Sequence, residues 1–564
     1  MPSHPPPDCS VIIVGGGPCG LMLANELGRR GVAAVLIDDK PATAFNPQAN
    51  ATQARTMEHF RRLGFADEVR SAGLPPEYPT DIVYYTRFAK YELARFPLPS
   101  SREARARAAA NSGGWSAAEL PHRVSQKFVE AILWKHAAAL PSVSLFYGWR
   151  MTAFVDRGSH VEVEAESVAD GARTSIRGAY LVGADGPRSA IRRQLGFNYA
   201  GRTGVAREFM GGRMYAIYVC APEFYRVVPH KPGWMNVTIN RDRRALMAAV
   251  DGRGEFAFHT QLRADEEESC VSEADAAAMV RAATGAPIAL EILSRDTWTA
   301  GHALVADGFQ RGRVFLGGDA AHLFTPTGGL GYNTAVEDAV NLGWKLAAVI
   351  KRQAPPNLLD TYSIERRPLA VRNTGYAQTF ADSLGLFQPA PEIEDDTPQG
   401  AAARLEAGTY LNAHARAEFN IPGITFGGRY DGSPVIVADG TAPPPDTVNT
   451  YVPSACPGGR APHLWLGQGR SLYDAFGFEW TLLRLGGRAP ESAGFARATT
   501  GLGLDLTVLD LPGDEARELY GADLALIRPD QIVAWRGNDG ATAEAVLRQV
   551  VGFDVLEIAS LHPQ

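Results

Sequence analysis

The sequence predicts an α/β protein in which a parallel sheet and a mostly antiparallel sheet are interleaved along the chain, followed by a smaller α/β domain. Three observations predict it. Val11-Ile12-Ile13-Val14 is an all-apolar run, the pattern of a parallel strand buried on both faces, and it leads straight into Gly15-Gly16-Gly17-Pro18-Cys19-Gly20, a helical segment and a second apolar strand. Between Met210 and Asp251, short apolar runs separated by Pro, Gly or charged turns read as antiparallel strands. Near the C-terminal end, strand and helix patterns alternate again.

The first glycines fit G-x-G-x-x-G, and each has a task. Gly15 allows the tight turn, Gly17 lets the backbone approach a pyrophosphate, and Gly20 permits close helix–strand packing. Leu23 and Leu27 lie at helical spacing beside small Ala24, and the N-terminus of that helix supplies a positive field. The second strand, Ala33 to Ile37, ends at Asp38, placed to accept hydrogen bonds from an adenosine ribose. A structural glycine turn is the alternative, but strand, glycines, helix, strand and acid in register favour a dinucleotide site.

Asn46 to Thr56 is polar and reads as a loop over that site, after which Met57, Phe60 and Leu63 share one side of a helix. Ser100 to Ser116, rich in Ala, Arg and Ser, reads as an exposed loop. Arg123 and Gln126 stand before or on a helix whose Phe128, Ile132 and Leu133 form the buried side; they are either helix-start residues or ligands for a phosphate and a ring carbonyl. Ser144 to Phe154, His160 to Ala165 and Thr174 to Tyr180 read as antiparallel strands. Tyr180 to Gly186 ends in small residues and Asp185, with Arg188, Arg192 and Arg193 behind; Asp185 either caps the next helix or belongs to a phosphate site. Arg213 to Cys220, Phe224 to Val228, Met235 to Ile239 and Ala245 to Val250 form the predicted antiparallel sheet, a wall for an enclosed pocket. Tyr215, Tyr218, Trp234 and Asn236 are candidates for lining it, ordinary packing being the alternative for each.

From Val314 to Leu346 an apolar strand runs into Gly317, Gly318 and Asp319, a Gly/Pro/Thr loop, and a helix with Val336, Ala339, Val340, Gly343 and Leu346 at helical spacing. Pro326, Gly328, Gly329 and Gly331 stand just before the helix, where free N–H groups can face an anion or a polarised ring. A structural βα turn is the other reading of this loop.

With 564 residues, 45% hydrophobic, 21% charged and a formal net charge of −7, the chain has the composition of a soluble protein of more than one domain. The acidic balance argues against nucleic acid as a partner, Arg102, Arg105 and Arg107 making one local basic patch. The first residues carry no basic leader and no apolar run approaches a membrane span, so a cytoplasmic protein with no membrane association is expected. Cys9, Cys19, Cys220, Cys270 and Cys456 are scattered, which predicts neither a disulfide framework, a metal site nor a redox dithiol.

GGGPCG, then GADGPRSAIR, then GGDAAHLFTPTGGLGYN before a helix stand in an order that resembles the group A flavin-dependent monooxygenases, the single-component aromatic hydroxylases of the phenol and chlorophenol hydroxylase type. The resemblance implies a Rossmann-like FAD-binding domain interleaved with a substrate-binding sheet. It also implies hydride from NADH or NADPH, and insertion of one atom of dioxygen into an electron-rich ring through a flavin hydroperoxide. By that similarity Gly15, Gly17, Gly20, Asp38, Arg55, Arg123, Gln126 and Asp319 would hold FAD, Asp185 would belong to the middle motif, and Pro326 with Gly329, Gly331 and Asn333 would border the flavin ring. In the phenol hydroxylase pattern an acid precedes the segment equivalent to Thr52-Gln53-Ala54-Arg55; here Asn50 stands there, and a neutral amide is no base. Either another group assists, Arg241 being the candidate, or the substrate is activated differently.

The expected organisation is a catalytic region at about 1–385, with FAD-binding segments near 9–80, 115–200 and 300–385 and the substrate sheet between them, then a linker and pocket-covering segment to about 450. The remainder resembles the thioredoxin-like domain of many relatives, without a CxxC. Other readings are epoxidation or Baeyer–Villiger oxidation of a polyketide-like substrate, or a flavin-binding sensor that does not turn over. A disulfide reductase lacks its second nucleotide fold and cysteine pair, and a halogenase its Trp-x-Trp-x-Ile-Pro segment. A homo-oligomer stays open.

Overall fold

Val11, Ile12 and Ile13 are fully buried at the centre of a sheet whose other strands enter from distant parts of the chain. In this computed structural model, which describes residues 4–203, 209, 211–263 and 265–555, the sheet runs in the order Gln310–Arg311, Val314–Leu316, Arg173–Gly183, Asp8–Val14, Ala34–Asp38, Val143–Tyr147. The last five are mutually parallel. The stretch read as one antiparallel strand, Ser144 to Phe154, divides: Val143–Tyr147 joins the parallel sheet, and Trp149–Asp156 pairs antiparallel with Val161–Ser167, which extends the sheet from the Arg173–Gly183 strand. Its helices include α1 (Pro18–Arg29), α2 (Ala54–Leu63), α3 (Gln126–Ala138) and, after a second domain, the largely buried α5 (Leu330–Ile350), which packs against α1.

The second sheet is ordered Glu291–Ala300, Gly212–Cys220, Glu255–Gln261, Ala245–Ala249, Met235–Thr238, Ile82–Tyr85, Glu92–Phe96 and is antiparallel but for one pair. Met210, the first residue of the predicted strand-rich stretch, lies outside the described residues. Helix α4 (Glu273–Thr284) covers one face: Ala245 and Phe258 line a cavity together with its Met279 and Ala283. The other face turns to the nucleotide-binding domain.

Three expectations fail locally. Phe224–Val227 is a short helix, its aromatic ring packed 4.8 Å from that of Phe256. The predicted loop from Ser100 contains the helix Ser101–Ala108, because Ser100 and Glu103 form a reciprocal capping box. Following α6 (Thr361–Gly385), the predicted linker contains α7 (Pro398–Phe419), a helix of 22 residues whose N-cap Thr397 accepts the Gly400 N–H.

The C-terminal unit has a four-stranded sheet ordered Leu506–Leu511, Trp480–Leu485, Leu524–Ile527, Val533–Gly537, with a parallel first pair and helices Ala493–Leu502 and Ala543–Val550, a thioredoxin-like arrangement. Buried ion pairs lock it to the rest. Glu58 of α2 meets Arg460 at 2.5 Å and Arg55 at 3.1 Å, and the two guanidinium groups overcome burial to hold its carboxyl below the usual range. Glu365 of α6 joins Lys345 at 2.6 Å and Arg528 at 2.7 Å, all fully buried. Among the described residues no helix is long and apolar enough to cross a membrane.

Candidate functional site

At the mouth of the parallel sheet the backbone is shaped by what side chains would strike. Gly15 has φ +113°, and a Cβ there would sit 2.1 Å from the Ala184 carbonyl oxygen; one on Gly20 would sit 1.9 Å from the Gly15 carbonyl oxygen. Around Gly17 a Cβ would meet nothing within 4 Å, so open space lies where a pyrophosphate would approach. Helix α1 begins there with no side-chain cap and no acid in its first turn, leaving its N–H groups for an anion. Asp38 ends the second strand, its carboxylate accepting the Gly16 N–H at 2.6 Å and the Lys40 N–H at 2.8 Å. Gln126 donates to Glu130 at 2.7 Å, and burial raises the Glu130 carboxyl above its ordinary range.

Asp185 accepts the N–H groups of Ala190 and Ile191, which start the short helix behind it; its other oxygen is buried without a partner and burial raises its pKa. Asp319 is exposed, yet protein surrounds its carboxyl closely enough that desolvation raises its pKa against the pull of His322. Behind it lies a group that sequence reasoning did not single out. His322 Nε2 is 2.6 Å from Asp338, Arg366 donates to the same carboxyl at 2.8 Å, and Asp338 also accepts the Gly318 N–H at 3.2 Å. Burial opposes ionisation of Asp338, but His322 and Arg366 prevail and lower its pKa. This triad clamps the Gly317–Asp319 turn to α5 and α6.

The Thr325–Gly331 loop carries Gly328 at φ +69° and Gly329 at φ +62°, conformations that favour glycine, and Gly329 starts α5 with no side-chain cap and no acid in the first turn. Pro326 is exposed at its edge, and a Cβ on Gly331 would press to 3.3 Å on Phe324. Asn333 does not face outward. Its oxygen accepts the Gln53 N–H and the Thr56 hydroxyl, and its amide donates to the Ala51 and Gly329 carbonyls, so its side chain braces the loop. Residues Ala51–Thr52 pair with His122–Arg123, bringing Asn50, Arg123 and Ser125 together beside this loop. Asn50 Oδ1, Arg123 Nη1, Ser125 Oγ and Thr325 Oγ1 are buried without hydrogen-bond partners among the described residues. Such a set of unmet donors and acceptors is costly unless a polar ligand completes it. Arg123 lies 4.8 Å from the Trp234 ring, and burial lowers its pKa to about 10 against the opposing field of Glu418.

Several expected roles are corrected. Arg55 is spent on the C-terminal unit, donating to Gln531 at 2.6 Å and to the Asp530 carbonyl at 2.5 Å. Arg241 lies on a turn at the sheet's outer end, half exposed and paired with Asp395 at 2.6 Å, and so is no candidate for ionising a substrate. Tyr215 is in register with Thr260 and Ala245, and Asn236 with Met247 and Phe258; Ala245 and Phe258 face α4, so Tyr215 and Asn236 face it too. Tyr218, three residues beyond Tyr215, points to the opposite side, where its hydroxyl meets Lys127 of α3 at 2.7 Å and Glu255. Trp234 stands at the nucleotide-binding side through Arg123.

A glycine-lined nucleotide cradle, a second loop at the N-terminus of a long helix with unmet polar atoms around it, and a sheet beyond form the arrangement expected of a flavin-dependent, ring-oxidising enzyme. A family model described as an FAD binding domain matches residues 8–376, and one described as the C-terminal domain of aromatic-ring hydroxylases matches residues 454–553. The chain is 31% identical to the FAD-dependent monooxygenase apdD of Emericella nidulans, over 98% of this chain and 92% of that protein. It is 30% identical to a phenol 2-monooxygenase of a Pseudomonas species, over 97% and 92%. The solved structure of the rebeccamycin biosynthetic enzyme RebC with reduced flavin superposes with a TM-score of 0.85 at 31% identity, covering 97% of this chain and all of that one. The chain belongs to the group A flavin-dependent monooxygenases and is an FAD-dependent aromatic monooxygenase.

Proposed function

We propose that this enzyme hydroxylates a phenolic aromatic compound, using NADH or NADPH as a transient hydride donor and dioxygen as the oxygen source. The observation that carries the reading is the set of unmet buried atoms on Asn50, Arg123, Ser125 and Thr325, on segments that meet near the N-terminus of α5, which has no side-chain cap. A planar, polar-edged ring system would satisfy it. Gly15, Gly17, Gly20 and Asp38 would hold the dinucleotide end of FAD, Asp319 would stand near its ribityl and phosphate oxygens, and Pro326 to Gly331 would border its ring. When bound, FAD supplies hydride acceptance from the nicotinamide and delivery of one oxygen atom to the substrate. The chain's own part is to orient and enclose. Free N–H groups and the dipole of α5 favour negative charge at the ring edge, Arg123 favours an anionic substrate oxygen, and Tyr218 and Trp234 wall the space against water.

Asn50 favours a second reading, oxidation of a polyketide-like substrate that needs no deprotonation at that position. The experiment that separates them is NAD(P)H oxidation by the FAD-loaded protein with and without a panel of phenols, hydroxylated polycyclic aromatics and ring ketones. Stimulation by phenols is the expected result; stimulation by ketones alone would sink the phenol assignment.

A further inference from the structure

The buried carboxylates of this chain mostly face arginine: Glu26, Glu58, Glu119, Asp338 and Glu365 each pair with at least one guanidinium group. Glu418, in the last turn of α7 and buried, does not. Among the described residues its one charge partner is His414, an ion pair only when the imidazole is protonated, whose Nε2 lies 2.9 Å from one carboxylate oxygen. The other oxygen accepts the Gly328 N–H at 2.8 Å, within the loop that borders the expected flavin ring. His414 Nδ1 lies 3.0 Å from the Ser383 hydroxyl of α6, and that hydroxyl lies 3.3 Å from the Tyr410 hydroxyl, on a side chain 40% exposed at the surface. These groups follow one another from the loop to the surface, although His414 Nε2, close as it is to Glu418, makes no aligned hydrogen bond with it. Beside the inner end of this series stands Arg123, held over Trp234 and 5.8 Å from the Phe419 ring, with one nitrogen unmet. The other ionisable group facing Glu418 and His414 is Tyr84, whose ring meets His414 edge-on at 6.3 Å.

Resting on the hydroxylase reading, we propose that Glu418 is the proton acceptor missing at Asn50 and that His414, Ser383 and Tyr410 carry the proton to solvent. The substrate O–H bond breaks and an O–H bond forms on Glu418, leaving the ring oxygen anionic beside Arg123. The proton then passes to Nε2 of a neutral His414, which carries its own proton on Nδ1, as that Nδ1 proton leaves toward Ser383; no electrons are exchanged with the protein. An ionised ring oxygen makes the ring electron-rich, which is what attack on an oxygen electrophile needs.

The test compares wild type, E418Q and H414Q with two phenols, one weakly acidic and one ionised at neutral pH, following NAD(P)H oxidation, product and bound flavin. Glutamine at 418 still accepts the Gly328 N–H, so flavin content should stay unchanged. E418Q should lose about 10²-fold or more in kcat with the weakly acidic phenol and less than tenfold with the ionised one. H414Q should show the same bias more weakly, with an altered pH profile. Equal losses on both phenols, no loss, or release of flavin from E418Q would make Glu418 a support of the loop and overturn the proposal. Wild type unmoved by either phenol, while still holding flavin, would remove the hydroxylase reading and this inference together.

Discussion

Asp319 and His259 show how single side chains are tuned by where the backbone sets them. Asp319 is exposed on the turn that the Asp338 triad clamps, so Asp319→Ala should reduce FAD occupancy of purified protein at least several-fold while leaving the fold intact; full retention by absorbance would exclude it from the cofactor site. His259 lies in register with Ala216, on the side of the sheet that Tyr218 shares, and its Nδ1 accepts the Trp298 indole N–H at 3.2 Å. Burial lowers its pKa from the ordinary 6.5 to about 4. Between those values the unfolded chain binds more protons than the folded one, so stability falls as pH drops through that window, by up to about 3 kcal/mol for this group. His259→Gln should flatten the fall of melting temperature over that range; an unchanged slope would place the histidine's titration elsewhere. Sequence reading placed the backbone where the constraint is local: Gly15 and Gly20 stand where a Cβ would clash, and Asp38 ends its strand against the Gly16 N–H. It failed where side depends on a partner strand: Tyr215 and Tyr218 both look like pocket aromatics, but three residues of a strand separate opposite faces.

Among the elements, α2 and α7 do the most unexpected work. Helix α2 was legible from Met57, Phe60 and Leu63, yet its polar side is as buried as its apolar one because Arg55 and Glu58 meet Arg460, Asp530 and Gln531 from the C-terminal unit. Breaking such a pair strands a buried charge, so Arg460→Met should destabilise the protein by about 3–5 kcal/mol in denaturant unfolding. A loss under about 1 kcal/mol would mean that Glu58 finds compensation from Arg55 alone. Helix α7 escaped notice because PQGAAARLEAGTYLNAHARAEF has no clean apolar stripe, and its acidic, proline-rich approach reads as linker. Its burial comes from Ala407, Leu411, Ala415 and Phe419, which join the core of the substrate sheet. Arg241 is the converse case. Its turn is legible, but that the turn lies at the sheet's outer end beside Asp395 depends on the Pro391–Glu394 segment folding back from far along the chain.

At the scale of the whole molecule, three consecutive motifs in sequence converge because strands from residues 8–14, 173–183 and 314–316 are neighbours in one parallel sheet. That convergence is why the order of the motifs carried the architecture so far: each is a strand end followed by a loop, and strands aligned in parallel put their loops at one edge. The cleft between the two sheets, and the roles of Glu418 and His414 in it, could not be read the same way, since they arise from a helix contributed after the last motif. The account's central claim is oxygen transfer to an aromatic ring. Its most direct test is turnover of the FAD-loaded enzyme with NAD(P)H and an accepted aromatic under heavy-isotope dioxygen, with mass analysis of the product. One labelled oxygen per product molecule, with NAD(P)H oxidised in matching amount, is the predicted result; unlabelled product, or NAD(P)H consumed with only peroxide formed for every substrate that binds, would contradict it.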